Sequence, residues 1–242
     1  MENKFVWIHI KKCGGQSTRL LLEPQYSQVD RSSKPPSFKQ ERKKHWNDIL
    51  NNYRTLIGGF QFKRALYAKK FLWPKLWKKI LSFTIVRDPI KRCISMFHYM
   101  FTGRSELSIC DILKKTVRRK SNLYSYRYRF DYFLEQIKVS FLTDDIYEPL
   151  SLHFNTHVNT VHRDVTDNNG SIIVDRVYLL EDLFEAIRQI KEDLGYEMKQ
   201  KGRVHLNETK NGKYVPTREQ KRKIRNIYQR DFEIYENARS IG

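Results

Sequence analysis

The sequence predicts a three-layer α/β/α fold, in which helices flank both faces of a parallel sheet. Three runs rich in branched and aromatic residues, at 5–10, 81–86 and 174–180, have the composition of buried strands. A segment with apolar residues at helical spacing follows each run, and no internal repeat is visible. Because strands that alternate with helices form parallel sheets, this order predicts the fold class. The 242 residues, 40% of them hydrophobic, suffice for a single domain over residues 1–242.

The first strand leads through a short turn into a helix. The turn contains Gly14 and Gly15, and a leucine-rich run follows it as far as Leu22. Glycines let backbone N–H groups approach an anion closely, and the first turn of a helix carries a partial positive charge. Lys12, Ser17 and Thr18 would add side-chain donors. These residues leave two alternatives open, an anion-binding loop and an ordinary strand-to-helix turn.

Between the first and second strands the chain is first polar and then basic. Residues 23–44 are predicted to form a loop, either one that contacts a substrate or a plain surface excursion. A helix is predicted from Glu41 to Tyr53, and a short strand at residues 56–62. The segment 63–79 is basic and aromatic, and Trp73-Pro74 interrupts it.

The second strand ends at a well-marked helix start. Asp88 is a favourable N-cap, and Pro89 suits the first helical position. Arg87 therefore lies at the carboxyl end of a strand, where open α/β sheets bind ligands, and its guanidinium suits a phosphate. The alternative for Arg87 is a surface ion pair with a neighbouring carboxylate. Ser95 lies two turns farther along, beside a predicted buried stripe of Ile90, Ile94, Phe97 and Phe101.

The second half of the chain is predicted to be mainly helical. Aromatic and apolar residues at steps of three and four between Leu123 and Phe141 indicate a core stripe rather than a surface for stacking nucleic-acid bases. A short helix at 152–161 and the residue after it carry His153, His157 and His162, without the partners of a zinc site.

Capping pairs mark the last two helices. Asp182 and Glu185 are predicted to cap the helix that follows the third strand, and Gly195 to end it. Thr217 and Gln220 are predicted to start a C-terminal helix, which runs to about residue 238.

Charge and composition narrow the classes of partner. The chain has 46 Lys and Arg against 27 Asp and Glu, a net charge of +19, which predicts a polyanionic or phosphorylated partner. Nucleic acid, anionic glycan, nucleotide and membrane surface all fit that charge. No apolar run reaches about 18 residues, no hydrophobic leader precedes the strand at residue 5, and the three cysteines are few. We therefore expect a soluble, cytoplasmic protein without a membrane segment.

Two motifs resemble those of the carbohydrate sulfotransferases, enzymes that use 3′-phosphoadenosine 5′-phosphosulfate (PAPS). Residues 9–17, HIKKCGGQS, resemble the family's HIPKTGGTS phosphosulfate loop. Residues 86–97 resemble its 3′-phosphate motif, with the interval from Arg87 to Ser95 intact. Residues 228–235 resemble a frequent C-terminal helix ending. The basic segment of Lys201, Gly202 and Arg203 is similar to a loop that covers the nucleotide in several members.

The resemblance implies a P-loop-type α/β fold and transfer of a sulfuryl group from PAPS to a hydroxyl or amine of a carbohydrate. Lys12 would neutralise the leaving phosphate, Arg87 and Ser95 would bind the 3′-phosphate, and no metal would be needed. The 5′-phosphate would be held by the loop and the helix start, namely Cys13, Gly14, Gly15, Gln16, Ser17 and Thr18.

Cys13 is one departure from the family pattern. It stands where the family usually has Thr or Ser, so a thiol replaces a stronger hydroxyl donor. Its position at a helix start, beside Lys11 and Lys12, predicts a lowered pKa. Alkylation would then inactivate the enzyme, and the product PAP would protect it.

The general base is the second departure. Gly58-Gly59-Phe60 stands where one branch of the family has Gly-His-Phe, whose histidine is implicated as the base. His45, in a Lys-His context similar to that of bacterial members, is the first candidate to replace it, and Glu41 is the second.

Two other functions stay open on the sequence, a non-enzymatic binder of nucleic acid or acidic glycan and a P-loop nucleotide kinase. Aromatic residues at core spacing disfavour specific nucleic-acid binding, and the sequence has no GxxxxGK[ST] kinase motif. The sulfotransferase resemblance would explain the positive charge as attraction of acidic or already sulfated glycans.

Overall fold

A computed structural model describes residues 5–22, 57–101, 126–143, 149–196 and 214–241. Its strands β1 (Phe5–Ile8), β2 (Leu81–Val86) and β3 (Arg176–Leu179) form one parallel sheet in the order β1-β2-β3. Phe5 lies opposite Leu81, and Phe83 opposite Arg176. The parallel sheet predicted from the alternation of strands and helices is confirmed.

The helices follow the strands along the chain. Their bounds are α1 Gly15–Leu22, α2 Arg64–Tyr67, α3 Pro89–Phe101, α4 Tyr126–Thr143, α5 Pro149–Val158, α6 Val161–Val165, α7 Leu183–Asp193, α8 Arg218–Ile227 and α9 Gln229–Ile241. A five-residue π-helix, Ala68–Leu72, continues α2, and 3₁₀-helices lie at Gly58–Phe60 and Trp77–Lys79. Among these elements, none is both long and apolar enough to cross a bilayer.

The two faces of the sheet are covered by different helices. Phe5 and Trp7 of β1 belong to a core cluster with residues of α1 and α7, whereas Val6 and Ile8 belong to one with residues of α2, α6 and α9. Successive residues of a strand point to opposite faces, so this division follows from the alternation along β1. The three-layer α/β/α architecture is confirmed.

A third cluster joins α3, α4, α5 and α8. Phe97, Phe130 and Phe133 are fully buried in it, and the rings of Phe97 and Phe130 lie 5.0 Å apart, edge to face. The predicted stripe of α4 therefore packs in the core, as its spacing indicates. In α3 the fully buried positions are Cys93, Met96 and Phe97, while Ile90 and Ile94 pack partly buried beside them.

The short strand predicted at 56–62 is wrong. Gly58 has φ +59°, which suits a turn, and the Gln61 N–H donates to the Gly58 carbonyl at 3.0 Å. The Gln61 side chain also accepts a hydrogen bond from the Ile57 N–H at 3.1 Å. Because these contacts are local, the glycine pair folds into a 3₁₀ turn instead of extending.

The capping predictions have different outcomes. Thr217 and Gln220 form the predicted capping box, and Asp88 accepts the Lys91 N–H at 2.8 Å. Asp182 makes no side-chain cap bond, and Glu185 pairs with Arg188. The C-terminal helix is also interrupted at residue 228, so it consists of α8 and α9 rather than one helix.

Candidate active site

The candidate site lies at the carboxyl edge of the sheet. β1 ends at Ile8 and leads through residues 9–14 into α1, while β2 ends at Val86, directly before Arg87. Leu180, just after β3, donates its N–H to the Val86 carbonyl at 2.7 Å. A side chain at Gly14 would overlap Leu180, so the loop closely approaches the segment after β3. This edge is where open α/β sheets bind ligands.

The loop turns sharply at two left-handed residues, Lys12 with φ +66° and Gly14 with φ +73°, which flank Cys13. The Cys13 N–H donates to the Ile10 carbonyl at 3.4 Å, which closes a turn over residues 10–13. The Thr18 N–H donates to the Gly14 carbonyl at 2.9 Å, so the first turn of α1 adds N–H groups that have no acceptor within the helix.

The two hydroxyls at the start of α1 differ. The Thr18 hydroxyl donates to the Gly14 carbonyl at 3.1 Å, and its side chain is fully buried. In this conformation it does not serve the phosphate-binding role expected of it. Ser17 is also buried, but its hydroxyl makes no hydrogen bond to any described residue. Of these two hydroxyls, only that of Thr18 is thus engaged with another described residue.

A buried arginine that the sequence analysis gave no role holds the loop from one side. Arg92 of α3 is 2% exposed and donates to the Lys11 carbonyl at 3.1 Å and to the Asn159 carbonyl at 2.7 Å. It also pairs with Asp231 of α9 at 3.3 Å. The available signal was Asp231 itself, because a carboxylate on the buried stripe of a helix needs a buried cation.

A second buried arginine holds the loop from the other side. Arg64, at the start of α2, donates to the His9 carbonyl at 3.0 Å and pairs with Asp164 through its Nε at 2.8 Å. Both members of this pair are buried. Two arginines thus fix two carbonyls of the loop, so its conformation is set before any ligand binds.

Lys12 reaches across to α3. Its ammonium lies 4.4 Å from the centre of the Tyr99 ring, which stacks on His157 of α5 at 4.9 Å. Ser95 lies one helical turn before Tyr99 and hence on the same side of α3. Burial, helped by the Lys12 charge, lowers the pKa of the neighbouring His98. The structure therefore brings the loop lysine and the α3 face that carries Ser95 together.

Arg87 belongs to the same region. Its positive charge acts on the Cys13 thiol and partly offsets the effect of burial on that group. Arg87 is half-buried and makes no ion pair with any described residue, while Asp88 is engaged in capping α3. Within the described residues, the alternative of a surface pair with Asp88 is therefore not formed. Neither the Arg87 guanidinium nor the hydroxyl of the half-buried Ser95 bonds to a described residue.

Nearly the whole chain matches one known protein family. A profile described as the Sulfotransferase family matches residues 1–237. The chain belongs to this sulfotransferase family. No curated protein and no solved structure gives a significant match. The general chemistry of this family is sulfuryl transfer, and the three-layer fold of the chain is consistent with the family.

The lowered pKa expected for the Cys13 thiol of this sulfotransferase is wrong. The thiol is 1% exposed and belongs to the core cluster under β1. Burial raises its pKa to about 11, although Arg92 and Arg87 oppose the shift. The side chain therefore packs inward as a neutral thiol instead of acting as a ligand donor or a reactive nucleophile.

Several predicted site residues of the sulfotransferase lie outside the described residues. These are both base candidates, Glu41 and His45, and the covering loop, Lys201, Gly202 and Arg203. Among the described residues, no group of three or more His, Cys, Asp or Glu side chains is placed to hold a metal ion.

Proposed function

We propose that this sulfotransferase transfers the sulfuryl group of PAPS to a hydroxyl or amine of a carbohydrate. The observation that carries the proposal is the loop with left-handed Lys12 and Gly14, which leads into the start of α1 at the same sheet edge as Arg87. PAPS has phosphates at two separate positions. The loop with α1, and Arg87 with Ser95, supply two cationic or donor-rich positions that fit such a nucleotide.

In this proposal Lys12 acts on the leaving group. Transfer breaks the bond between sulfur and the bridging phosphate oxygen, and that oxygen gains negative charge as PAP leaves. The Lys12 ammonium, already held over Tyr99 beside the loop, would stabilise that charge. The N–H groups at the start of α1 and the Ser17 hydroxyl would hold the same phosphate.

Arg87 and Ser95 would distinguish PAPS from ATP. A guanidinium grips a phosphate through two parallel hydrogen bonds, and Arg87 has no competing carboxylate among the described residues. The 3′-phosphate is the group that ATP lacks. Lys201, Gly202 and Arg203 would cover the bound nucleotide.

The acceptor would lose its proton to a base as the new bond to sulfur forms. His45 is the first candidate for this base, and Glu41 the second. If His45→Ala and Glu41→Gln both keep wild-type turnover with PAP binding intact, neither residue is the base. The net charge of +19 favours carbohydrates that are acidic or already sulfated, because opposite charge raises their rate of encounter.

Calorimetry separates this function from its alternatives. We expect PAP to bind tightly without Mg²⁺, ATP to bind weakly and a DNA oligomer to compete poorly with PAP. Tight binding of ATP that needs Mg²⁺ would instead support a kinase, and binding of DNA alone would support a nucleic-acid binder. Transfer of ³⁵S from labelled PAPS to a panel of polysaccharides then tests the reaction itself.

The Arg87→Ala variant tests the assignment of the 3′-phosphate. Loss of a charge-assisted contact should weaken PAP binding by about 1.5–3 kcal/mol in the same calorimetric assay. Lys91→Ala, which removes an exposed cation from the first turn of the following helix, α3, should leave PAP binding nearly unchanged. An unaltered dissociation constant in Arg87→Ala would contradict the assignment.

A further inference from the structure

One stretch of the surface concentrates positive charge without any acid. Segment 63–79 has seven basic residues and no acidic one, namely Lys63, Arg64, Lys69, Lys70, Lys75, Lys78 and Lys79. It covers α2, the π-helix and the following 3₁₀-helix. Five of these lysines, all except Lys63, make no ion pair or hydrogen bond to any described residue. Their charge is therefore not neutralised by the described part of the chain.

Other exposed cations contrast with this segment. Arg188, Arg222 and Arg230 each pair with a glutamate three residues away on their own helix. Helices α7, α8 and α9 thus balance these arginines locally. Segment 63–79, in contrast, contains no acidic residue that could form such a pair within it.

Three aromatic rings lie among these lysines. Phe71 is 5.2 Å from both Phe60 and Tyr67, measured between ring centres, and Phe60 is 5.9 Å from Tyr67. Phe71 is 54% exposed. The same helices use other residues for the core, since Ala65, Ala68 and Leu72 are buried beneath them. We call these three rings and Lys69, Lys70, Lys75, Lys78 and Lys79 the basic aromatic surface.

The basic aromatic segment begins next to the candidate active site. Arg64, which begins α2, donates to the His9 carbonyl of the loop at 3.0 Å. The Asn159 side chain, next to the Arg92 contact, donates to the Phe62 carbonyl at 3.3 Å. From there the segment runs to Lys79, just before β2 begins, so the surface extends from the carboxyl edge of the sheet toward its amino edge.

We propose that the basic aromatic surface docks an anionic polysaccharide, whose hydroxyl or amine reaches the neighbouring active site. This inference rests on the proposed function. Exposed aromatic rings stack on the apolar faces of sugar rings, and lysines pair with carboxylate or sulfate groups. Residues 64–72 extend over roughly 13 Å at helical rise, which is longer than one sugar ring and suits a chain of sugars.

The surface fits a soluble polyanion better than a lipid bilayer. Insertion into a bilayer needs several exposed apolar side chains, and Phe71 alone of the three rings is more than half exposed. Charge therefore dominates this surface, with one protruding ring among five lysines that have no ion-pair partner in the described part of the chain.

Binding of dextran sulfate, with uncharged dextran as the matched polymer, tests the proposal. In the triple variant Lys70→Gln, Lys78→Gln, Lys79→Gln we expect affinity for dextran sulfate to fall about tenfold or more at 0.1 M salt. The slope of log affinity against log salt should also decrease by about 2–3, because three ionic contacts are lost. Phe71→Ala should weaken binding about three- to tenfold, while Tyr128→Ala, a half-exposed ring on α4, should not.

The matched charge control lies on α8. The triple variant Arg218→Gln, Lys221→Gln, Arg225→Gln removes three exposed cations from another surface. Wild-type affinity in this control, together with the loss in the first triple variant, supports the proposal. Equal losses in both would overturn it, because net charge alone would then explain binding.

Parallel measurements separate this inference from the proposed function. PAP binding should be unchanged in both triple variants, which shows that each is folded. If the wild type binds PAP and the first triple variant keeps the wild-type affinity for dextran sulfate, only the docking surface is contradicted. Wild-type protein that fails to bind PAP contradicts the proposed function. The choice of a polysaccharide would be overturned if replacing these lysines weakened the binding of single-stranded DNA or anionic vesicles more than that of dextran sulfate.

Discussion

Among single residues, Lys12 combines backbone strain with a charge at the loop. Its left-handed backbone costs a non-glycine residue about 1–2 kcal/mol. Contacts from Arg64 and Arg92 to the carbonyls of His9 and Lys11 hold the loop in that shape. Strain that the surrounding structure maintains is typical of binding loops, and here it fixes where the ammonium leaves the backbone.

Replacing Lys12 by alanine should lower turnover by about 10²–10³-fold, as expected when one charge-stabilising donor is removed from a leaving group. The measurement is ³⁵S transfer at saturating PAPS and acceptor. Lys12→Gly is the matched variant, because glycine relieves the left-handed strain but also lacks the ammonium. If Lys12→Gly keeps near-wild-type turnover, the backbone and not the charge is what the reaction needs.

Cys13 should resist alkylation in the folded protein. With a pKa of about 11 and a buried side chain, about one thiol in a thousand is ionised at pH 8, and that thiolate is shielded. Incubation with iodoacetamide, followed by peptide mass spectrometry, should show little modification of Cys13 until denaturant is added. Rapid native labelling that PAP prevents would instead restore the expectation from the sequence.

Among elements, those with local signals were predictable. Asp88 and the Thr217–Gln220 box act within three residues of each helix start, so sequence spacing alone identifies them. The residues around Gly58 fit a strand or a turn equally well. The turn forms with the Gln61 side chain accepting a hydrogen bond from the Ile57 N–H. Cys13 was misjudged because its burial depends on helices α2 and α9, which lie far from it in sequence.

The connection between α3 and α9 should be sensitive to loss of one charge. Asp231→Asn leaves the buried Arg92 without its carboxylate, so we expect a loss of about 3–5 kcal/mol in the free energy of unfolding. Urea denaturation measures this loss. The double variant Arg92→Met, Asp231→Leu should lose less than the sum of its single changes, because neither charge is then stranded.

An exposed pair on α9 provides the control for that change. Arg230 and Glu233 lie 2.8 Å apart in solvent, so Arg230→Ala should alter stability little. A similarly small effect of Asp231→Asn would show that the buried pair does not hold α3 and α9 together.

For the whole molecule, the layers were predictable and the connections between them were not. Strands that alternate with helices along the chain predict a parallel sheet covered on both faces, and the continuous apolar run of β1 fits burial on both sides. Arg92 and Asp231 are 139 residues apart, and Arg64 and Asp164 are 100 apart. Pairings over such intervals depend on how the layers pack, which periodicity does not encode. Yet these pairs position the candidate loop.

Stability of the whole fold should fall as the solution becomes acidic. His157 is buried, contacts the His153 carbonyl at 2.8 Å and stacks on Tyr99, and burial with the His153 and Lys11 charges lowers its pKa well below 6.5. The unfolded chain then binds a proton that the folded protein rejects. This stabilisation is complete above pH 6.5 and decreases by about 1.4 kcal/mol per pH unit below it, down to the folded pKa.

Urea denaturation at pH 7.5 and pH 5.5 tests the contribution of His157. We expect wild type to lose stability between the two, and His157→Gln to lose about 1.4 kcal/mol less, because glutamine has no proton to bind in either state. His162→Gln, at a half-buried histidine on α6, serves as the matched substitution of histidine by glutamine. If the His157→Gln variant loses as much stability between the two pH values as the wild type, the acid sensitivity arises elsewhere in the fold and not from His157 stacked on Tyr99.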